Sequence, residues 1–285
     1  SDILDYYLEI EHYDRHLGRM LEMLEKSGEL ENTIVMATGD NGMSFPGAKA
    51  TMYDYGIHVP LVAMWAAEAK GGRVVEDLVS FADFAPTFLE AAGVRTPGQM
   101  VGRSLLGLLR SGRQGRVEAQ RTRVFSGRER HSHARFDNLG YPARAMREGD
   151  YLFVWNMKPE RWPAGDPEMY ADIDAAPSKD WMMAHRGEDG VKRQFEQGFG
   201  KRPEEQLFDV VKDPGCVNNL AGGTAQEGVR KRMRAELEKA LTAQGDPRML
   251  GRGDVWESYA RYSPMRPALG GFAEEGKTNP KYLRP

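Results

Sequence analysis

The sequence contains almost no cysteine: Cys216 is the single one among its 285 residues. A lone cysteine excludes an intrachain disulfide, and it makes a cysteine-ligated metal site implausible. Cys216 lies in the turn-forming stretch 213–219, and no histidine and aspartate beside it in the sequence suggest an activated thiol. We therefore interpret it as a loop thiol without a catalytic role.

Long apolar runs and a strong charge imbalance are also absent. No run approaches the roughly 20 apolar residues of a transmembrane helix, and the first residues lack the charged and then apolar pattern of a signal peptide. The net charge is −3, so composition does not predict a nucleic-acid partner. A hydrophobic content of 40% in 285 residues is typical of a globular chain that buries a core. We predict no membrane span and no nucleic-acid partner.

The first part of the chain has the element order of an α/β domain. Residues 3–26 carry apolar side chains three and four positions apart, which predicts an amphipathic helix that ends at Gly28. Residues 33–38 and 59–65 are short, continuous apolar runs that predict strands, the first buried on both faces as in a parallel sheet. Residues 83–93 predict another helix. In such sheets, ligands bind beyond the carboxyl ends of the strands.

The rest of the chain predicts a smaller α+β subdomain with a short antiparallel sheet. Residues 110–121 are rich in Arg, Gly and Gln, so we expect an exposed connection there. Residues 156–205 are long, polar and rich in Trp, Pro and Gly, which is typical of a functional or poorly ordered loop. Strands are predicted at 123–125, 143–146, 151–155 and 206–209, and a helix at 228–244. The predicted segments are 1–112, 122–247 and an extended tail, 248–285.

The most informative motif follows the first predicted strand. Asp40 and Asn41 offer a carboxylate and an amide oxygen, the ligand types that Ca²⁺ and Mg²⁺ prefer, although calcium takes about 6–8 oxygens. The same Asp-Asn-Gly stretch is also a strong turn signal. Lys49 follows in a Gly/Pro-rich loop; it is either a solvated loop lysine or a cation that holds an anionic oxygen of a substrate.

Histidines form a second group of candidates. His131 and His133 lie in a polar stretch with Glu129 and Arg130, a combination that can bind a charged or hydroxylated ligand but is often only solvated. His58 precedes the second predicted strand and borders the motif in the sequence.

On these residues the chain resembles the second half of a type I sulfatase of the alkaline-phosphatase superfamily. The resemblance rests on the order of residues in 6–61, 79–94, 102–109 and 207–221. Residues 44–49, 141–147 and 246–247 resemble in particular the N-sulfoglucosamine sulfohydrolase (heparan N-sulfatase)-like members of this family. The resemblance implies part of an alkaline-phosphatase-like mixed sheet flanked by helices, with the C-terminal subdomain beside it in the sequence.

The resemblance also implies roles for particular residues. Asp40 and Asn41 match the family's second pair of calcium ligands, and Lys49 matches the basic residue that contacts the sulfate. Glu129, His131 and His133 fall where sulfamidase-like members have a substrate loop. The implied partner is a sulfated carbohydrate or another sulfate ester, and the implied location is periplasmic or extracellular. His58 stands where many members carry arginine, so no role transfers to it.

Other parts of the family pattern do not occur in this chain. The cysteine motif that is oxidised to the formylglycine nucleophile is missing, as are the first pair of metal-binding aspartates and the upstream acid/base residues. We therefore expect a C-terminal portion whose partner is the N-terminal half of the same protein, and no activity from this chain alone. A phosphodiesterase or phosphonate hydrolase of the same superfamily and a non-catalytic glycan-binding remnant remain the alternatives.

Overall fold

A computed structural model describes residues 1–135, 139–167 and 169–259, which form two compact units. The first unit comprises residues 1–40 and 60–124, and the second comprises residues 41–59 and the described residues from 125 onward. The predicted segments place the first boundary of the chain between 112 and 122. In the structure, by contrast, the loop that carries Lys49 groups with the C-terminal part of the chain.

The helices and strands follow the chain in a mixed order. The helices are α1 (Asp2–Ser27), α2 (Asp54–Ile57), α3 (Phe84–Ala91), α4 (Leu106–Arg110), α5 (Pro177–Ala184), α6 (Asp189–Phe199) and α7 (Glu227–Ala243). The strands are β1 (Val35–Thr38), β2 (Leu61–Met64), β3 (Arg123–Arg128), β4 (Ala143–Glu148), β5 (Tyr151–Asn156) and β6 (Glu205–Asp209). Among the described residues, no helix is both long and apolar enough to cross a membrane.

The first helix forms as predicted, and its end is defined by a glycine. Gly28 adopts a left-handed conformation with φ 78°, and its amide donates to the carbonyl of Glu25. None of the residues of α1 is buried, and Ile3, Tyr7 and Ile10 of the predicted apolar stripe are exposed.

Strands β1 and β2 confirm two predicted strands but correct the predicted pairing. They are antiparallel, with Val35 opposite Met64 and Thr38 opposite Leu61. All four residues of β1 are only partly buried, so burial on both faces was wrong. A continuous apolar run indicates a strand without specifying the direction of its partner, which explains the error.

The segment 110–121 is mostly exposed, as its composition predicted, but Val117 and Arg121 within it are buried. Arg121 is fully buried and forms ion pairs with Asp83, at 2.9 Å, and with Glu118, at 2.7 Å. The Asp77 carboxylate accepts hydrogen bonds from the amides of Val117 and Glu118. Because buried polar groups must be paired, these carboxylates allow Arg121 and the backbone at Val117 to be buried in the first unit.

The second unit contains a four-stranded sheet in the order β3-β4-β5-β6, which confirms the predicted strands. Strand β5 pairs antiparallel with both β4 and β6, and its central residues Leu152, Phe153 and Val154 are fully buried. Helix α7, also predicted, buries Met233 and Leu237 in the cluster that contains Phe153.

Residues 156–205 contain helices α5 and α6 rather than one long loop, which corrects that prediction. Val191, Phe195 and Phe199 repeat every four residues and are buried, so α6 has an ordinary apolar face. Phe195 and Phe199 pack with Tyr170 in an aromatic cluster. The predicted tail begins at 248, and most of it lies outside the described residues.

Candidate active site

Close backbone contacts shape the loop that carries Lys49, which we call the lysine loop (residues 42–56). The amide of Gly42 donates to the carbonyl of Gly56 at 3.1 Å, which closes the loop at its base. A Cβ atom on Gly42 would lie 1.8 Å from the carbonyl oxygen of Tyr55, so only glycine fits there. Inside the loop, the amide of Lys49 donates to the carbonyl of Met43 at 3.1 Å.

The ammonium group of Lys49 pairs with a carboxylate far away in the sequence. Its Nζ donates to Oδ2 of Asp174 at 2.7 Å, and the side chains are 24% and 37% exposed. The Ser44 hydroxyl also hydrogen-bonds the Asp174 carboxylate. Partial burial raises the pKa of Asp174, but the hydrogen bond and charge of Lys49 outweigh it, so this pKa lies below its ordinary value. Asp174 is therefore ionised at neutral pH.

Two residues before Asp174, a second carboxylate is fully buried. Asp172 accepts hydrogen bonds from the amide and hydroxyl of Ser132, at 3.0 and 2.7 Å, and pairs with the guanidinium of Arg135. Burial raises the pKa of Asp172, but Arg135, Arg128 and Ser132 together hold it below its ordinary value. Asp172 thus fixes the position of the loop that Asp174 belongs to.

That loop, the acidic loop (residues 169–174), is also held from its other side. The ammonium group of Lys179 donates to the carbonyl oxygens of Met169, Tyr170 and Ile173, at 2.8, 3.0 and 2.9 Å. Tyr170 has a φ of 41°, an uncommon conformation for a residue with a side chain. Surrounding contacts must hold such a conformation in place, so the acidic loop presents Asp174 from a fixed backbone.

His131 lies in the electrostatic field of the same groups. Although the residue is exposed, partial desolvation of its ring lowers its pKa; Asp172 opposes this effect, and the positive charges of Lys49 and Arg128 add to it. His131 is therefore neutral at pH 7, with a ring that can donate one hydrogen bond and accept another. His133 lies two residues further on and is partly buried.

Glu129 is placed differently from the two histidines that it accompanies in the sequence. Its carboxylate pairs with Arg144, and it pairs with Arg248 at 2.7 Å. Arg144 in turn pairs with Asp246 at 2.7 Å. The carboxylate is thus engaged by two guanidinium groups, an arrangement that favours a structural role for Glu129, while substrate binding by it stays a prediction.

The predicted metal ligands are adjacent in the chain. Asp40 is exposed two residues after β1, in the first unit, and Asn41 is partly buried directly before the lysine loop, in the second unit. Their oxygen atoms suit a hard cation in type but fall short of the number that calcium needs. Within the described residues, no group of three or more His, Cys, Asp or Glu side chains could hold a metal ion. A cation bound by these two residues would therefore need further ligands.

The lone cysteine is unsuited to nucleophilic chemistry. Cys216 is 1% exposed, and its sulfur accepts a hydrogen bond from the amide of Asp54 at 3.4 Å. Burial raises the pKa of its thiol to about 12, so the reactive thiolate is scarce at neutral pH. Beside it, Nδ1 of His58 lies 3.2 Å from Oδ2 of Asp54. These contacts agree with the interpretation of Cys216 as non-catalytic.

The structure therefore brings together two predicted residues, Lys49 and His131, and adds Ser44, Asp172 and Asp174, which sequence reasoning missed. The one signal for the two aspartates was their alternation in the stretch 171–174, within a segment interpreted as a loop. The result is a cation, an ionised carboxylate and a neutral imidazole on three fixed loops. Such a group can bind an anion and hydrogen-bond a hydroxylated molecule.

Comparisons with known proteins find similarity to sulfatases. Residues 1–94 match the family model described as Sulfatase. The chain is 29% identical over 258 residues to an ulvan-active sulfatase of Formosa agariphila, which covers 89% of this chain and 40% of that protein. It is 24% identical over 257 residues to the human N-sulphoglucosamine sulphohydrolase, covering 87% of this chain and 49% of that protein. The chain thus spans less than half the length of these relatives.

The fold of the chain is similar to that of a solved structure. The chain superposes with a TM-score of 0.59 and 24% identity on a protein solved with its substrate D-glucosamine-2-N,6-O-disulfate. The match covers 86% of this chain and 40% of that one. It confirms the predicted fold class, part of an alkaline-phosphatase-like α/β domain followed in sequence by an α+β region with an antiparallel sheet.

Proposed function

Because this chain is a member of the sulfatase superfamily, we propose that it forms the substrate-binding part of a sulfuric ester or N-sulfate hydrolase. The observation that carries the proposal is the position of Lys49. Its side chain is 24% exposed, its ammonium group lies 2.7 Å from the Asp174 carboxylate, and its charge acts on His131. A cation of this kind binds a sulfate oxygen and stabilises negative charge that develops during cleavage.

The other groups around Lys49 have complementary roles in this proposal. The neutral ring of His131 hydrogen-bonds a hydroxyl or leaving-group oxygen of the substrate, because it keeps both a donor and an acceptor. Ser44 holds the Asp174 carboxylate, and Asp172, bound by Ser132, holds the acidic loop in place. His133 belongs to the same substrate loop in the proposal.

We propose that Asp40 and Asn41 contribute two oxygen ligands to a calcium ion whose remaining ligands lie outside this chain. Bound there, the ion would polarise a sulfate oxygen as a Lewis acid. The formylglycine nucleophile is likewise proposed to come from outside this chain, since Cys216 is buried, of raised pKa and in a different motif. The chain alone is therefore expected to bind substrate without turning it over.

A sulfated sugar is the proposed substrate class. Support comes from relatives named for sulfated carbohydrates and from the neighbouring structure with a disulfated glucosamine. The arrangement of a cation beside carboxylate and imidazole groups suits a ring that carries both sulfate and hydroxyl groups. A periplasmic or extracellular location is part of the same proposal.

The experiment compares binding and turnover in the purified chain. We expect no hydrolysis of 4-nitrophenyl sulfate, and we expect D-glucosamine-2-N,6-O-disulfate to bind in an NMR titration. Lys49→Ala should weaken that binding at least about tenfold, because it removes a charge-assisted contact. Lys212→Ala is the control, since Lys212 also pairs with an aspartate at 2.7 Å but is 84% exposed.

Two results would contradict the proposal in different ways. Turnover by the chain alone would show that the nucleophile lies within it. Binding of the disulfated sugar that is unaffected by both Lys49→Ala and chelation of calcium would favour a non-catalytic glycan-binding protein instead.

A further inference from the structure

The cation proposed to bind sulfate already has a negatively charged partner. Lys49 Nζ and Asp174 Oδ2 are 2.7 Å apart, and the pair is partly buried, where solvent screens charges less than at the surface. An anion that reaches Lys49 must lie beside the ionised carboxylate of Asp174. The negative charges of the anion and of Asp174 repel each other, so an anion without hydroxyl groups gains little binding free energy from Lys49.

Asp174 cannot move away cheaply to relieve this repulsion. Its loop is held by three hydrogen bonds from Lys179, and Asp172, two residues earlier, is bound by Ser132 and Arg135. Ser44 holds the Asp174 carboxylate itself. The carboxylate therefore stays beside the place that an anion on Lys49 would take. A ligand that binds there must offer it a hydrogen-bond donor.

A hydrogen-bond donor on the ligand satisfies the carboxylate. A sugar sulfate carries hydroxyl groups next to its sulfate, so one ligand can place a sulfate oxygen on Lys49 and an O–H on Asp174. Hydrogen bonds from hydroxyl to carboxylate are stronger than neutral ones. A sulfate ester without hydroxyl groups displaces water from the carboxylate and competes for Lys49 without offering Asp174 a donor in return, which costs binding free energy.

We propose that Asp174 is a specificity-determining residue that selects sulfate esters bearing a hydroxyl group near the sulfate and rejects simple anions. The inference rests on the proposed function, since it takes Lys49 as the sulfate-binding cation. Asp174 is placed to accept a hydrogen bond from a hydroxyl group of the sugar ring.

The test compares two esters of similar size and the same primary linkage, glucose 6-sulfate and cyclohexylmethyl sulfate, together with inorganic sulfate. Affinities of the purified chain are measured by NMR titration. The wild type should prefer the sugar sulfate to the hydroxyl-free ester by about tenfold or more. Asp174→Asn should bring the two affinities together and bind inorganic sulfate severalfold more tightly, because the repulsive charge is gone. Asp174→Glu should restore part of the preference.

A matched control exists in the same unit. Asp209 pairs with Lys212 at the same 2.7 Å, and Asp209→Asn should leave all three affinities unchanged. The inference is overturned if Asp174→Asn keeps the tenfold preference or binds inorganic sulfate no more tightly than the wild type.

The Lys49→Ala variant separates the two proposals. If it weakens binding while Asp174→Asn changes nothing, the inference fails and the proposed function stands. If Lys49→Ala leaves every affinity unchanged, the proposed function fails with it.

Discussion

Two ion pairs of similar length show how differently this chain uses charge in its two units. Arg121 and Asp83 of the first unit are 2.9 Å apart with side chains 1% and 8% exposed. Lys49 and Asp174 of the second unit are 2.7 Å apart, but they are 24% and 37% exposed. Breaking a buried pair leaves an uncompensated charge, whereas a partly solvated pair can be replaced by water or by a ligand.

The chemistry of the cations follows the same division. The guanidinium of Arg121 also binds Glu118 and the carbonyl oxygens of Arg103 and Ser104. This planar group with several fixed donors is suited to permanent contacts. The ammonium of Lys49 is a compact charge on a flexible stem, which can exchange one oxygen partner for another. We therefore expect the buried pair to maintain structure and the partly solvated pair to be available to a ligand.

The largest effect should come from breaking the buried pair of the first unit. Arg121→Ala leaves Asp83 and Glu118 without their cation, and we expect a loss of about 4–5 kcal/mol in the free energy of unfolding. Hydrogen–deuterium exchange, read for peptides that cover 77–121, should show the loss in that unit. Arg110→Ala is the control, because its pair with Glu68 is about half exposed and should cost less than about 1 kcal/mol. Equal effects of the two variants would contradict the distinction.

A buried pair in the second unit should give a smaller but pH-dependent effect. Asp172→Asn removes the charge opposite Arg135 while keeping an oxygen that accepts from Ser132, so we expect a loss of about 2–3 kcal/mol at neutral pH. The folded-state pKa of Asp172 is lowered. Its contribution is therefore present above the ordinary carboxyl pKa and is lost as the pH falls through the lowered pKa.

The measurement for Asp172 is urea unfolding of wild type and variant at about pH 7 and in the acid range where the carboxyl groups titrate. The stability difference between the two proteins should shrink in acid. A difference that stays constant over the whole range would show that the charge of Asp172 is not what stabilises the loop.

The sequence predicted elements with a clear period and missed those whose period is interrupted. Helix α7 and strand β5 carry regular apolar positions, and both were predicted. Helix α6 has Val191, Phe195 and Phe199 on one face, but Gly190 and Gly198 interrupt it and weaken its helix propensity. The antiparallel pairing of β1 with β2 depends on which strand lies beside which, and that information is not local.

The same limit applies to the candidate site. Lys49 and His131 stand out because their types and polar surroundings indicate chemistry. Asp174 lies 125 residues from Lys49, so only the folded chain reveals the pair. Glu129 looked like a member of the histidine group, yet Arg248, 119 residues away, engages its carboxylate. Residue type identified the candidates, and tertiary contacts decide which of them face a ligand.

A small effect on stability should accompany the large effect on binding at Lys49. Lys49→Gln keeps a hydrogen-bond donor for Asp174 and removes a partly solvated charge, so we expect a loss of less than about 1 kcal/mol in unfolding free energy. Urea unfolding measures it, with Arg135→Gln as the buried counterpart in the same unit. A loss as large as that of Arg135→Gln would mean that the Lys49–Asp174 pair is structural.

The smallest effect on stability should come from the pair formed by Asp54 and the exposed His58. Its side chain is 77% exposed, and its hydrogen bond to Asp54 raises its pKa despite partial burial. A raised folded-state pKa means that the pair stabilises the protein below the ordinary histidine pKa and loses its effect as the pH rises through the raised value. After solvent screening, this amounts to at most a few tenths of a kcal/mol. A double-mutant cycle with His58→Ala and Asp54→Asn, followed by thermal unfolding at about pH 5.5 and about pH 8.5, should give a coupling at the lower pH alone. A coupling that is equal at both pH values would show that the contact does not depend on the imidazolium charge, and partly solvated pairs would then differ from buried ones in strength only.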